Sequence, residues 1–281
     1  MIEPDPAVNW DRLAATARRA GKRIADRVRS ADGQVRDCPI RREFLCRAQP
    51  EAAVPPMIRT LRGGTGGRGG QGGEVRLKLY LSLLWLASGE GHSADWPASH
   101  WADLLGLSER DSKGKRRVQE GFAWLNENCL VGVEQRPRKH PIVTLLHEAG
   151  TGAAYTKPGL TAEKGGEPIY RRLSANWWTN GWLAQLSAAA IVTWLVYQDE
   201  TGVRSDYVWL TPGQSSQRYG LSIDTRKKGL RELRDVGLIE HKRVRHSEAF
   251  SVERSITKYR LVPAQLGTVA PPGRRRPESQ R

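Results

Sequence analysis

Two stretches of the chain decide how it is read: Trp96–Ser108, WPASHWADLLGLS, and Leu210–Ser222, LTPGQSSQRYGLS. They superimpose without a gap, and Gly-Leu-Ser falls on Gly-Leu-Ser. Upstream of the first, Leu77, Tyr80, Leu81, Leu84 and Trp85 follow the spacing of a buried helix face, which Ser88–Gly91 ends. Trp96-Pro97 then predicts a short strand or turn. Ser99 is the expected cap of a helix carrying Trp101, Leu104 and Leu105, closed by Gly106. A third helix places Val118, Phe122 and Leu125 on one side and ends near 126–128. Leu130–Val133 and Ile142–Leu146 read as strands around the basic turn Arg136–Pro141. The second copy repeats this order. Leu183, Leu186, Ala190, Ile191, Trp194 and Leu195 form the helical stripe, and Val208–Leu210 is strand-like. A short helix ends at Gly220, and Asp224 or Thr225 caps the next, whose apolar side is Leu230, Leu233 and Val236. Gly237 terminates it. Leu238–Val244 and Ile256–Val262 are the closing strands.

Helix, short strand, helix, tight turn, helix, two-stranded hairpin is the order of a winged helix. The residue types suit it. Gly106 and Gly220 permit the sharp turn, Leu107 and Leu221 tuck beneath it, and Ser108, Ser222 or the polar residues just after them cap the following helix. The expected fold is therefore mainly α with small β-hairpin wings (α+β), two winged helix-turn-helix domains in tandem. The boundaries are 1–62 for a basic, partly helical N-terminal region and 63–74 for a Gly-rich linker. Domain one is 75–148, a connector is 149–176, domain two is 177–263, and a basic tail expected to be disordered is 264–281.

The tandem arrangement resembles plasmid replication initiators built from two winged helices and, more loosely, bacterial winged-helix transcription regulators. In such proteins the third helix enters the major groove and the wing touches the backbone or the minor groove. The resemblance implies Arg110, Lys113, Lys115, Arg116 and Arg117 as contacts of the first unit, and Thr225, Arg226, Lys227, Lys228 and Arg231 as contacts of the second. Its wings would be Arg136, Arg138, Lys139 and His140, then Lys242, Arg243, Arg245 and His246; Ser216, Gln217 and Arg218 of the short helix complete the set. Leu107 to Leu130 is six residues longer than Leu221 to Leu238, a departure that falls on the first recognition helix.

Outside the repeat, Trp10, Leu13, Ala17, Ile24 and Val28 predict an amphipathic helix over Pro6–Arg29, with Arg18, Arg19, Lys22, Arg23, Arg27 and Arg29 between them. Residues 30–62, with four prolines, predict extended or disordered chain. The run Gly63–Gly73 lacks the Gly-Lys-Ser/Thr of a phosphate-binding loop and reads as a linker. Its two Arg-Gly-Gly triplets leave nucleic-acid contact open. Trp85, Trp101, Trp124 and Trp194 fall on apolar stripes, whereas Trp177, Trp178 and Trp182 suit either a core or a dimer surface.

The 281 residues hold 45 Lys+Arg against 30 Asp+Glu, a net charge of +15, and that excess points to a polyanionic partner. Mean hydropathy is −0.57, and the longest apolar run, Ala188–Val196, is too short to span a bilayer. No basic segment followed by an apolar one opens the chain, so a cytoplasmic location is expected. Three cysteines make neither a disulfide framework nor a four-ligand zinc site, and Cys129 reads as a buried structural thiol. The six histidines form no metal-binding spacing, so neither an enzyme nor a cofactor is expected. Duplex DNA is the expected partner, read by two recognition helices in a replication or transcription role. A second copy of the chain or a replication or transcription protein stays open as a further partner. Two other classes compete: an RNA-binding protein using the Gly/Arg linker and basic N-terminal helix, and a protein-interaction module using its tryptophans.

Overall fold

The computed structural model describes residues 9–62, 71–87, 91–158, 170–202, 206–246 and 254–271. The N-terminal part holds α1 (Trp10–Ala25), β1 (Cys38–Arg41), α2 (Arg42–Leu45) and α3 (Pro56–Leu61). The middle holds α4 (Gln71–Leu86), β2 (Ser93–Ala94), α5 (Ala98–Leu104), α6 (Lys113–Glu127), β3 (Val131–Glu134) and β4 (Ile142–Leu145). There follow β5 (Tyr170–Leu173), α7 (Asn176–Thr179), α8 (Trp182–Gln185) and α9 (Ala188–Thr201). The last elements are α10 (Pro212–Tyr219), α11 (Ile223–Asp235), β6 (Ile239–His246), β7 (Arg254–Leu261) and a 3-10 turn, Pro263–Gly267.

Two winged helices are present. In the first, β3 and β4 form the hairpin and β2 joins its β4 edge, in the order β2-β4-β3. In the second, β6 and β7 form the hairpin, and a single bridge from Val208 to Tyr259 takes the place of the third strand. The 114-residue offset of the two Gly-Leu-Ser segments holds here too, since Ala94 of β2 and Val208 make the equivalent pairings. Gly106 and Gly220 both adopt left-handed backbone, φ 63° and 65°, where a side chain would be strained. Ser222 caps α11 by accepting the Thr225 N–H at 3.2 Å, ahead of Asp224 and Thr225. Thr211 and Gln214 form a full capping box on α10. The expected caps of the first unit are corrected: α5 starts at Ala98 behind Pro97, and α6 starts behind Ser112, neither with a side-chain cap. Ser99 and Ser108 thus cap nothing. Of the six extra residues in the first unit, four lie in the turn before α6 and two lengthen that helix.

Beyond the insertion, positions 108 apart correspond, and they include a pair the sequence reading overlooked. Gly121 of α6 faces Leu79 and Val75 of α4, while Gly229 of α11 faces Thr193 and Ala189 of α9. Both glycines mark where the helix before the hairpin crosses α4 or α9 too closely for a Cβ without a shift of its neighbour.

Helix α4 departs from its expected single stripe. Every residue from Leu77 to Trp85 is buried, because α6 covers one side and α3, β1 and α9 cover the others. Of its polar residues Lys78 and Ser82 are partnered, whereas the Tyr80 hydroxyl is buried without a hydrogen bond among the described residues. Lys78 Nζ lies 2.9 Å from both Glu74 Oε1 and the Ala184 carbonyl, and Ser82 accepts the Trp178 indole N–H at 2.9 Å. Trp178 also stacks on Trp85, with centroids 4.5 Å apart. Trp177, Trp178 and Trp182 are buried, so of the two expected alternatives, core or dimer surface, they are core; Trp124 is half-buried beneath the Arg76 guanidinium. Residues 30–62 are likewise not loose chain: Cys38, Ile40, Phe44, Leu45, Met57 and Ile58 are core residues, held by β1 pairing with β5. Of the expected linker, 71–74 open α4 and 63–70 lie outside the described residues. In the expected tail, Leu266 and Ala270 are buried and the Trp182 indole donates to the Thr268 carbonyl; 272–281 lie outside the described residues. Cys129 is exposed rather than buried, in left-handed backbone at the end of α6.

A buried ion pair ties β1 to the end of the first wing. The Arg41 guanidinium lies 2.6 Å from Glu148 Oε2, and the Arg41 N–H donates to Glu148 Oε1 at 2.8 Å. Burial nevertheless prevails over these contacts and pushes the Glu148 carboxyl up to about 7. An acid whose pKa is higher in the folded chain than the 4.5 of the free group contributes stability below pH 4.5, and that contribution is lost as pH rises through 7. Urea unfolding at pH 5 and pH 8 should show the wild type losing up to ~3 kcal/mol relative to Glu148→Gln. Parallel pH profiles would refute this.

Candidate nucleic-acid interface

Helix α11 packs through Gly229, Leu230 and Leu233, which sends Lys227, Lys228 and Arg231 to the opposite, exposed face. The spacings i,i+3 and i,i+4 set the three on one patch. Glu232, the one acid between 226 and 234, is turned away from them: it accepts the Ser187 N–H at 2.7 Å and the Ser187 hydroxyl. Arg234 lies 3.9 Å from Asp235. Thr225 is half-buried at the Ser222 cap.

Arg226 is not part of this patch. It corresponds to Val118, a fully buried core residue of the first unit, and its half-buried guanidinium donates to the Leu210 carbonyl. On α10, Ser216 and Gln217 are exposed, and the Gln217 carbonyl accepts from Arg47. Arg218 is ion-paired with Glu200 at 2.6 Å.

The second wing adds cations on both faces of its ribbon. Strand alternation puts Arg243 and Arg245 on one side and Lys242 on the other, cross-strand from Lys258. Lys242 Nζ sits 4.1 Å from the Tyr207 ring centroid and Arg260 sits 5.0 Å from it. Arg260 also holds Glu240 at 2.6 Å, and that hydrogen bond draws the carboxyl below its usual range. The wing tip, 247–253, and the His246 side chain lie outside the described residues.

The first unit is organised differently. Arg110 precedes α6 in the turn, 2.7 Å from Asp103 and 3.3 Å from Asp111. Lys113 pairs with Glu109 at 2.8 Å and Arg116 with Glu120 at 3.2 Å. Lys115 is exposed and Arg117 half-buried. The positions corresponding to Lys227, Lys228 and Arg231 are Gln119, Glu120 and Ala123, so the equivalent face of α6 carries no cation at all three. In the wing, Arg136 folds back onto the His140 carbonyl at 2.7 and 2.9 Å and onto Asp95 at 3.3 Å, while Arg138, Lys139 and His140 are exposed. Exposed ion pairs of this kind contribute about 0–1 kcal/mol each, so a phosphate can displace the carboxylates.

Sequence reading missed the group that braces α10. The Asp199 carboxylate, fully buried on α9, lies 2.9 Å from Arg42, 2.8 Å from Arg171 and 2.8 Å from the Tyr219 hydroxyl. The Tyr219 hydroxyl also reaches Glu200 at 2.7 Å, and burial together with the two carboxylates pushes it up, keeping it a neutral donor. The partners of Asp199 are 20 to 157 residues from it, so no local motif announces them. Among the described residues no cluster of His, Cys, Asp and Glu could hold a metal ion, and no helix is long and apolar enough to cross a membrane. Compared with known proteins, the chain matches no family model, no curated protein and no solved structure.

Proposed function

We propose that this chain is a cytoplasmic, non-catalytic protein that binds duplex DNA sequence-selectively, as a plasmid-type replication initiator or a DNA-binding regulator. The supporting observation is the outer face of α11, where Lys227, Lys228 and Arg231 are exposed between Asp224 and Asp235 at the helix ends, beside a ribbon carrying Lys242, Arg243 and Arg245. A single helix projecting from a wing suits the roughly 12 Å-wide major groove of B-DNA, whereas the deep, narrow groove of A-form RNA excludes it. Lys227 and Lys228 neutralise phosphate, Arg231 offers a bidentate fork to guanine, and the wing follows the backbone. The first unit, whose cations are largely ion-paired, adds contacts from Lys115, Arg138 and Lys139.

Selection from a random duplex pool, followed by competition, tests this. The expected result is one enriched motif bound at least about 10³-fold more tightly than unrelated duplex. Equal competition by RNA of the same length, or no enrichment, would overturn the reading.

A further inference from the structure

A second cationic surface has no residue of either wing in its lining. Helix α1 packs its small residues, Ala14, Ala17 and Gly21, against α5 and α7, with no room for a Cβ between Gly21 and the Trp178 carbonyl. That fixes the opposite face beside the turn leading into α6, and a groove of about 940 Å³ separates the two. Its charged lining is Arg12, Arg19 and Arg23 from α1, with Asp103, Glu109 and Arg110 from the other wall. The two carboxylates are already engaged, Asp103 by Arg110 at 2.7 Å and Glu109 by Lys113 at 2.8 Å. Arg23 lies within electrostatic reach of Asp103, and Arg19 donates to Thr16 at 3.3 Å. Arg12, Arg19 and Arg23 make no salt bridge among the described residues, and all three are exposed. Spaced i, i+7 and i+11, they form a line about 16 Å long on one side of the helix.

Three aligned arginines opposite two satisfied carboxylates suit a linear polyanion better than one small anion. The far wall ends where α6 begins, so a strand in the groove continues from the duplex that α6 approaches. We propose that this groove holds the phosphodiester backbone of duplex DNA flanking the site of the first unit, with Arg12, Arg19 and Arg23 neutralising successive phosphates. The inference rests on the duplex-DNA reading above.

The test is the full chain carrying Arg12→Gln, Arg19→Gln and Arg23→Gln, with Lys22→Gln on the same helix outside the groove as the control. Glutamine keeps helix propensity, and a thermal melt verifies the fold. The plot of log affinity against log salt for the selected duplex should become shallower by about three, with the preference for the motif over unrelated duplex unchanged. The control should keep the wild-type slope. Should the triple variant melt early, Arg19→Gln alone should lower the slope by about one. Wild-type slopes in these variants, with duplex binding intact, would overturn the groove and leave the duplex reading standing. Loss confined to single-stranded DNA of the same length would also overturn it. A wild-type chain that binds no duplex at low salt would instead defeat the duplex reading, and the groove with it.

Discussion

Replacing Lys227, Lys228 and Arg231 together by glutamine should lower affinity for the selected duplex by about a hundredfold or more. The estimate follows from the chemistry of the patch: a bidentate arginine–guanine contact discriminates by ~1–3 kcal/mol, and each lysine facing phosphate adds a salt-dependent contribution. Two signatures should separate. The lysines should account for a fall in salt slope of about two, uniform across sequences, whereas Arg231→Gln alone should relax the motif at one base pair. Arg226 supplies the contrast within the same helix. Its guanidinium is committed to the Leu210 carbonyl at a position where the first unit buries Val118. Arg226→Gln should therefore leave the salt slope alone and cost about 1 kcal/mol of stability. Titrations by fluorescence anisotropy at four salt concentrations decide both. A triple variant with wild-type affinity, or an Arg226 variant with a reduced slope, would contradict this assignment.

The second large effect is on stability. Gly229→Val should destabilise the chain by roughly 3 kcal/mol or more, read as a fall in the urea midpoint. A Cβ at Gly229 would intrude on the Ala189 carbonyl as well as on Thr193, and backbone cannot yield without parting α9 from α11. Gly121→Ala should be the milder change. There the nearest atom is Leu79 Cδ1, 2.6 Å away and at the end of a flexible side chain. If the two variants melted alike at wild-type values, the close helix crossing would not be a determinant of the fold.

The winged-helix order was legible because its signals are local. Apolar spacing, the turn glycines and the strand patterns near Leu130 and Leu238 each depend on neighbours within one helical turn or one hairpin. Gly121 and Gly229 were legible in principle, as equivalent glycines once the six-residue insertion is allowed for, but only contact with Val75, Leu79, Ala189 and Thr193 explains them. Residues 30–62 misled for the opposite reason. Four prolines and many charges imitate loose chain, yet Ile40, Phe44 and Met57 find their partners in the core, where β1 pairs with β5. Arg226 is followed by Lys227 and Lys228, and a helix wheel does not tell an arginine facing solvent from one hydrogen-bonded to a loop carbonyl.

By itself, the sequence determined a twice-repeated winged helix on a strongly basic chain, because periodicity and glycine placement act over a few residues. Which cations face outward was decided only by tertiary structure. Burial and ion pairing depend on residues distant in sequence: Ser187 draws Glu232 away from the α11 patch, and Leu210 takes Arg226 out of it. Packing of α1 against α5 and α7 likewise aligned Arg12, Arg19 and Arg23 along a groove that no local pattern encodes.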